Sequence, residues 1–343
     1  MNTKLTPISE LGEFGLIDRL TADIKLQHSC SVVGIGDDAA VLNFANLQTV
    51  VTTDLLVEGV HFNLTYVPLK HLGYKAVAVN ISDICAMNAI PSQITVSIAV
   101  SNRFTVEALE ELYQGIKLAC ETYKVDLIGG DTTSSISGLV ISVTALGIQT
   151  PEKLSYRSGA RENHLICVSG NVGAAYMGLQ LLERENKIFA SDPAMQPDFT
   201  GYEYILERQL KPEARLDIVH LLAELNIVPS AMIDISDGLS SELLHICKRS
   251  GTGCLIYENK IPIDEQTASM AKEFELDPLV AAMNGGEDYE LLFTVPVSYF
   301  EQIKAKPQIS IIGRITTAAE GANLSMRDGT IIPFDAQGWN ALN

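Results

Sequence analysis

The order of apolar and polar positions predicts short strands that alternate with amphipathic helices along the chain. In the first 150 residues, apolar runs predict strands over 32–34, 40–44, 49–55, 92–100, 126–129 and 139–148. Helical periodicity predicts helices over 71–88 and 106–123. Such alternation is typical of an α/β protein.

A polar segment at 147–164, which contains Pro151 and Gly159, interrupts this pattern and predicts a boundary between domains 1–150 and 151–343. Beyond it, the pattern predicts strands over 165–169, 232–235, 254–258 and 289–295, and helices over 174–185, 239–249 and 265–275. A polar loop at 191–200, a long helix interrupted at Pro212 and a β-rich tail complete this part. A length of 343 residues also fits about two domains.

Composition narrows the classes of function. The chain has 47% hydrophobic residues and a net charge of −18, which disfavours binding to a nucleic-acid backbone. No apolar run approaches the roughly 20 residues of a membrane helix, and the first residues lack a signal-peptide pattern. We therefore expect a cytoplasmic protein without a membrane partner. The six cysteines contain no C-x-x-C pair and are expected to be reduced, and Cys247, Met270 and Met283 are expected in the core.

The stretch Gly34–Ala39, GIGDDA, fits a dinucleotide-binding fingerprint, and Asp54 follows at the expected distance. Two observations disfavour that reading. Asp37 and Asp38 would stand where a bare pyrophosphate must bind, and the next residues look like a strand rather than a helix. A Walker loop is also absent, since the chain has no Gly-Lys pair. Metal ions between these carboxylates and phosphates would reverse the local field, so the loop favours metal-assisted phosphate binding.

Acidic residues beside Gly, Ser or Thr recur in six loops. They are Asp37 and Asp38; Asp54, after Thr52 and Thr53; Asp83; Asp131; Asp234 and Asp237; and Glu287 and Asp288. Each alone is typical of a helix N-cap or turn, as Asp237 is before a helix near Leu239. Together they favour hard oxygen ligands around Mg²⁺ ions, with phosphate oxygens and water as the other ligands.

The motifs that carry this chemistry resemble one family. In chain order they are GIGDDAAVL, TTDLLVEGVHF, VNISDICAMNAIP, LIGGDTT, YRSGA, DISDGLSSEL and GGEDYELLFTV. They are similar to the motifs of thiamine-monophosphate kinase, and the resemblance covers essentially the whole chain. Single motifs are shared with the wider aminoimidazole ribonucleotide synthetase-like superfamily. Cys85 and Asn88 stand where Ala and Gly are usual in the family.

The resemblance implies a two-domain α/β fold with mixed sheets and helices. It implies a homodimer formed through strands of the N-terminal domains, with ATP as co-substrate and several Mg²⁺ ions in a cleft between domains. The N-terminal domain would bind ATP and Mg²⁺, and the C-terminal domain would complete the cleft. The implied reaction is ATP-dependent conversion of thiamine monophosphate to thiamine diphosphate.

Site residues follow from the same resemblance, motif by motif. The implied metal ligands are Asp37, Thr52, Thr53, Asp54, Asp83, Asp131, Asp234 and Asp237. The implied ATP contacts are Gly130, Asp131, Arg157 and Ser236, and the implied contacts to thiamine monophosphate are His61, Glu287 and Trp339. The choice between Asp37 and Asp38 as main ligand, the number of ions and any role of K⁺ stay open.

Structural alternatives exist for three of these residues. Arg157 suits an interdomain salt bridge or a solvated linker as well as a phosphate contact. A lone histidine such as His61 is often only a hydrogen-bonded residue at a strand end. Trp339, the single tryptophan, would serve equally as an apolar anchor of the tail or as a cation–π partner of the thiazolium ring.

Two other functions were weighed against this one. Another ATP-using member of the superfamily is disfavoured, since no cysteine precedes Cys30 or follows Cys254 where two such relatives need a reactive one. A metal-binding protein without catalysis would use a compact local loop, whereas these acids are dispersed. We expect direct in-line phosphoryl transfer, because no His or Ser forms a nucleophile-and-base pair in the sequence. No residue is therefore expected to be a covalent nucleophile or general base.

Overall fold

A computed structural model describes Leu16 and residues 19–33, 41–44 and 47–336. The chain divides into two compact units. The first consists of Met1–Ile84 with Ala89–Pro151, and the second of Cys85–Asn88 with Glu152–Asn343. Among the described residues, no helix is long and apolar enough to cross a membrane.

The first unit contains a four-stranded sheet and two long helices. Its elements are β1 (Ser31–Val33), β2 (Val41–Leu42), β3 (Gln48–Val57), α1 (Leu69–Ala86), β4 (Ile90–Val100), α2 (Val106–Tyr123), β5 (Asp126–Ser134) and β6 (Leu139–Gln149). The sheet order is β3-β6-β4-β5, and β1 pairs separately with β2. Strands β4 and β5 are parallel and are joined through α2, which is the expected form of a βαβ crossover.

The two faces of this sheet differ in burial. Along β6, Leu139, Ile141, Val143 and Ala145 are buried, while the residues between them are partly exposed. Helix α1 packs on the buried face. We call the other side of the sheet, which carries Val51, Thr53 and Leu55 of β3, the open face.

Helices α1 and α2 contact each other through their backbones. A Cβ atom added at Gly73 would lie 2.0 Å from the carbonyl oxygen of Leu112, and one added at Gly115 would lie 1.9 Å from that of Lys70. Only glycine permits this approach, so the two positions determine how closely the helices pack.

The second unit is built on a seven-stranded sheet of order β13-β12-β9-β11-β7-β10-β8. Its strands are β7 (Leu165–Ser169), β8 (Ala231–Asp234), β9 (Thr252–Tyr257), β10 (Leu291–Val295), β11 (Ile309–Thr317), β12 (Ala322–Ser325) and β13 (Ile331–Pro333). Its helices are α3 (Ala174–Ser191), α4 (Glu203–Leu210), α5 (Leu216–Glu224), α6 (Leu239–Ser250), α7 (Glu265–Glu273), α8 (Pro278–Asn284) and α9 (Phe300–Lys304).

Strand pairing places two of the predicted acidic loops next to each other. Strand β10 lies between β7 and β8, and its first residue Leu291 pairs with Asp234, the last residue of β8. Main-chain hydrogen bonds from Glu287 to Ser236 and from Tyr289 to Ile235 extend the contact beyond the strands. The loop after β8 and the loop before β10 are therefore one connected structure.

The predicted alternation of strands and helices is confirmed, with differences at element ends. Helix α3 continues to Ser191, six residues beyond the predicted end at Glu185. Helix α8 was not predicted; it is seven residues long, with Asp277 as N-cap and Pro278 in its first turn. The long helix is interrupted near Pro212 as predicted, and Cys247, Met270 and Met283 lie in the core. The stretch Gly34–Ala39, with the predicted ligands Asp37 and Asp38, lies outside the described residues.

Asn88 explains one departure from the family pattern. Its φ is +53°, in the left-handed region, and asparagine is among the non-glycine residues that adopt this conformation most readily. Its side-chain amide also donates to the carbonyl of Lys153, 2.8 Å away. Asn therefore replaces the usual Gly here without a change of backbone conformation.

Candidate active site

Two carboxylates of the first unit, Asp54 and Asp83, come together between β3 and α1. The alternation of β3 turns Thr52 and Asp54 toward α1, where both are half-buried. The Thr52 hydroxyl donates to Oδ2 of Asp83 at 2.6 Å. Because the acceptor is charged, this bond ranks among the stronger ones, at about 1.5–3 kcal/mol.

Asn80 makes a second connection between the same two elements. Its Oδ1 accepts from the backbone N–H of Asp54 at 3.0 Å, and its Nδ2 donates to the carbonyl of Ala76 at 3.0 Å. Since β3 is an edge strand, this N–H points away from its partner β6, and the fully buried Asn80 satisfies it. Residues 80 and 83 lie one helical turn apart and contact positions 54 and 52 of the strand.

The two carboxylates make this site electrostatically unfavourable without a cation. Burial, and then the charge of Asp83, raise the pKa of Asp54 from 3.8 to about 6. Two carboxylates and a hydroxyl are the hard oxygen ligands that Mg²⁺ takes, and a cation beside them would favour ionised Asp54. The residues present therefore fit Mg²⁺.

The protein alone does not complete a metal site. In the described part of the chain, no group of three His, Cys, Asp or Glu side chains is arranged to hold one ion. An ion at Asp54 and Asp83 would take its other ligands from water and phosphate, as Mg²⁺ commonly does.

Two other predicted residues of the first unit lie on the open face. Thr53 is exposed there, and its hydroxyl donates to the Val143 carbonyl at 3.1 Å. Asp131 is on β5, in register with Ser97 of β4, whose side chain also faces the open side. β3 and β5 are the two edges of the sheet, three strand spacings of about 4.8 Å apart. The structure thus brings together Thr52, Asp54 and Asp83 within this unit, and it separates Thr53 and Asp131 from them.

Gly130 has a packing role beside its predicted ATP contact. A Cβ there would lie 1.8 Å from the carbonyl oxygen of Val96, so β4 and β5 approach each other as only glycine allows. The ATP contact itself stays a prediction.

His61 has a defined tautomer. Its Nδ1 accepts from the backbone N–H of Val57 at 3.0 Å, so the neutral ring carries its proton on Nε2. The structural alternative, a hydrogen-bonded histidine at a strand end, is therefore present. In this tautomer Nε2 carries a hydrogen and is a hydrogen-bond donor, as a contact to a phosphate oxygen requires.

The loop after β8 carries the acids of the second unit. Asp234 is almost fully buried, and Ser236 and Asp237 are half-buried in the turn that leads into α6. Gly238 makes this turn possible with φ of +119°, a conformation that L side chains rarely adopt. Burial raises the pKa of Asp237, and the positive charges of His245 and Arg157 oppose that shift.

Arg157 is exposed, and its charge acts on Asp237 within the second unit. This is consistent with a cationic group beside the acidic loop. Whether it contacts ATP stays a prediction.

The carboxylate of Glu242, one turn into α6, folds back on this loop. Its Oε1 accepts from the backbone N–H of Asp237 at 3.0 Å and lies 3.5 Å from the Ser236 hydroxyl. Burial raises the pKa of Glu242 to about 8, and the charges of Asp237 and Asp234 add to the shift. Sequence reasoning passed over Glu242, although its position falls on the buried stripe of Leu239, Leu243 and Ile246.

The loop before β10 is held by a network of charged groups. Asp288 is fully buried and accepts from the N–H groups of Gly173 and Ala175 at the start of α3, at 2.6 and 3.3 Å. Arg208 donates to the Asp288 carbonyl at 2.6 Å and pairs with Glu290 at 2.9 Å. Asp288 therefore serves as a helix cap, the structural alternative considered for such acids.

Glu287 lies next to this network, and α4 holds its position. It adopts φ of +66°, and its Oε2 accepts from Nε2 of Gln209 at 2.9 Å. Arg208 and Gln209, neighbours on α4, thus hold both the backbone and the side chain of the loop. No motif of the sequence pointed to them, because α4 is distant in sequence from the loop. The predicted residues Asp37 and Trp339 lie outside the described residues.

Comparison with known proteins places the chain in a family. Residues 36–149 match the family of AIR synthase related proteins, N-terminal domain. The thiamine-monophosphate kinase of Bacillus subtilis (strain 168) is 34% identical over 336 residues, which cover 96% of this chain and 99% of the relative.

Solved structures agree with the sequence relatives. The thiamine-monophosphate kinase from Stenotrophomonas maltophilia K279a is 32% identical, with a TM-score of 0.79 over 93% of this chain and 97% of that one. AaThiL complexed with AMPPCP and TMP is 32% identical, with a TM-score of 0.75 over 100% of both chains. The prediction of an aminoimidazole ribonucleotide synthetase-like α/β fold is therefore confirmed. The chain belongs to the thiamine-monophosphate kinase family, a family of phosphotransferases.

Proposed function

We propose that this protein transfers the γ-phosphoryl group of ATP to thiamine monophosphate, forming thiamine diphosphate and ADP. The observation that carries the proposal is the cluster of Asp54, Asp83 and Thr52, in a chain similar over its full length to AaThiL complexed with AMPPCP and TMP. A carboxylate pair that needs a cation is the expected partner of two anionic substrates.

The roles of the site residues complete the proposal. Metal ligation is assigned to Asp37, Thr52, Thr53, Asp54, Asp83, Asp131, Asp234 and Asp237. ATP binding is assigned to Gly130, Asp131, Arg157 and Ser236, and thiamine monophosphate binding to His61, Glu287 and Trp339. When bound, Mg²⁺ supplies charge neutralisation and alignment of the phosphate groups.

The residues of the chain account for the rest of the chemistry. His61 would donate Nε2–H to a phosphate oxygen of the acceptor and hold it in place. Glu287 would offer a negative charge to the thiazolium cation, from a backbone fixed by its bond to Ser236. A phosphate monoester has its second pKa near 6, so at neutral pH the attacking oxygen is already mostly deprotonated and needs no general base. Direct in-line transfer without a phosphoenzyme follows from this.

An ADP-release assay tests the activity. The full chain is incubated with ATP and Mg²⁺, and with thiamine monophosphate, thiamine or aminoimidazole precursors in turn. We expect ADP release that depends on thiamine monophosphate, and release with another acceptor alone would contradict the proposal. Replacing K⁺ by Na⁺ in the same assay determines whether K⁺ assists.

A labelling experiment tests direct transfer. The enzyme is mixed with Mg²⁺ and γ-labelled ATP without acceptor, denatured, and examined for label on the protein. We expect no stoichiometric label, and label in thiamine diphosphate once the acceptor is added. Chemically competent label on any residue would overturn the direct mechanism.

We also propose a homodimer formed through the open face of the first unit, in the cytoplasm. Val51 and Leu55 on that face are 61% and 54% exposed, on a strand at the edge of the sheet. Exposed apolar side chains on a sheet face are typical of an interaction surface. Burying this face against a second copy would remove them from water.

A further inference from the structure

Glu242 lies in an unusual place for a glutamate. It is in the first turn of α6, on the buried stripe of the helix, and only 2% of its surface is exposed. Glutamate is rarely buried to this extent unless a partner compensates its charge. The two oxygens of its carboxylate have different surroundings.

The first oxygen has a structural role. Oε1 accepts from the backbone N–H of Asp237 and lies near the Ser236 hydroxyl, so it holds the turn between β8 and α6. A neutral amide oxygen would accept the same N–H. This role alone does not require a charged residue.

The second oxygen has no such role. In the described part of the chain, Oε2 of Glu242 is buried and accepts no hydrogen bond. A buried polar group without a partner carries a desolvation penalty, and the penalty is larger when the group is charged. Either a proton or a cation must compensate it.

The surroundings favour a cation. Asp237 donates its backbone N–H to Glu242, and Asp234 is the last residue of the strand that leads into the same turn, so three acidic residues flank the start of α6. A proton would neutralise Glu242 alone and leave the charges of Asp234 and Asp237, whereas a divalent ion is attracted by all three charges. These side chains do not form a complete ligand set by themselves, so water or phosphate oxygens would fill the remaining positions.

We propose that Oε2 of Glu242 is a further ligand for a divalent cation bound at the Asp234–Asp237 loop, directly or through one water. The inference rests on the proposed function, because the cation is one that would accompany the nucleotide. It adds Glu242, which lies within the motif DISDGLSSEL but had no predicted role, to the site.

Mn²⁺ binding to the full chain, without nucleotide or acceptor, tests the proposal by calorimetry or electron paramagnetic resonance. Glu242→Gln keeps the acceptor for the Asp237 N–H and removes the charge. We expect about 10- to 100-fold weaker Mn²⁺ binding, the range found when groups that support a metal are removed. Glu224→Gln, the same change at an exposed residue of α5, is the matched control and should bind as the wild type does.

A second variant separates ligation from anchoring. Glu242→Asp keeps the charge but shortens the reach to the Asp237 N–H. If Glu242 binds the cation, Glu242→Asp binds Mn²⁺ more tightly than Glu242→Gln does. If Glu242 only anchors the turn or carries a proton, Glu242→Gln binds Mn²⁺ as the wild type does, and Glu242→Asp binds it more weakly. Weaker Mn²⁺ binding by Glu242→Asp than by Glu242→Gln would overturn the proposal. A wild-type chain that binds no Mn²⁺ at millimolar concentration would overturn it as well.

Folding and function are checked separately. Circular dichroism and the unfolding temperature show whether each variant folds. If Glu242→Gln does not fold, Glu242→Asp decides the question. A dissociation constant for Mn²⁺ within tenfold of the wild-type value supports ligation, and a larger one contradicts it. The kinase assay on the wild type is independent, since a chain that binds Mn²⁺ through Glu242 but does not phosphorylate thiamine monophosphate would refute the proposed function alone.

Discussion

Replacing Asp54 by Asn should stabilise the metal-free protein while it removes activity. The pKa of Asp54 is raised from 3.8 to about 6 by burial and by the charge of Asp83. Each pKa unit corresponds to about 1.36 kcal/mol, so a shift of roughly two units means that ionised Asp54 costs about 3 kcal/mol at neutral pH. Asn has the same shape without the charge, and it should recover about this amount.

The sign of the effect determines its pH dependence. For an acid with a raised pKa in the folded state, the favourable contribution is complete below 3.8 and is lost as the pH rises through about 6. The advantage of Asp54→Asn over the wild type should therefore be about 3 kcal/mol at pH 7.5 and about half of that at pH 5. Low pH changes the stability of both proteins through their other titratable groups, and that change cancels in the difference between Asp54→Asn and the wild type.

Urea unfolding in EDTA at several pH values measures the difference directly. Asp335→Asn, the same substitution at an exposed residue, is the control and should show no such advantage. With Mg²⁺ and nucleotide the order should reverse, because only the wild type gains stability from the bound ion. Equal stabilities of Asp54→Asn and the wild type in EDTA at pH 7.5 would refute the electrostatic argument.

Four further outcomes are expected. Activity should vanish in EDTA and return with Mg²⁺, and full activity in chelator would exclude the metal-assisted mechanism. Asp83→Asn should lower kcat by orders of magnitude in a folded protein, so a rate equal to that of the wild type would remove Asp83 from the site. Asn80→Ala should cost about 1–3 kcal/mol in urea unfolding and raise the Mg²⁺ concentration for half-maximal rate, because the Asp54 N–H loses its acceptor; an unchanged Mg²⁺ requirement would count against positioning. Sedimentation should show a dimer that Val51→Asp converts to monomers at micromolar concentration, and a wild-type monomer of 37.2 kDa would contradict the proposed interface.

Helices and strands with a clear periodic pattern of apolar residues were predicted from the sequence. Elements that are short or that have no buried apolar stripe were missed or assigned the wrong end. Strand β6 was evident because buried and exposed residues alternate over its whole length. Helix α8 has seven residues, fewer than two turns, so its periodicity carries little information. None of the last six residues of α3 is buried, and they include the exposed Phe189, so their periodicity does not distinguish this part of the helix from a loop.

The chemical types of the site residues were predictable, but their grouping was not. Acidic residues beside Gly, Ser or Thr indicated oxygen ligands for a cation. Which of them share one place depends on strand order and on the face of the sheet, and both are set by long-range pairing. Thr52 and Thr53 are adjacent in sequence, yet they lie on opposite faces of β3. The role of Asn80 was not predicted for a related reason. It accepts the N–H of Asp54 only because α1 packs against an edge strand.

The buried acids of this chain fall into two classes. In one class the carboxylate oxygens accept hydrogen bonds that stabilise the fold, and in the other at least one oxygen has no such bond. Both oxygens of Asp288 accept N–H groups at the start of α3, so the fold itself explains that residue. Among the described residues, no protein group donates to the Asp54 carboxylate, and Oε2 of Glu242 has no partner. Acids that destabilise the protein by themselves are retained where an external cation offsets the cost. Asp54 and Glu242 are such acids, one in each unit, and the proposed phosphoryl transfer between two anions would require a cation to compensate the charge of both substrates.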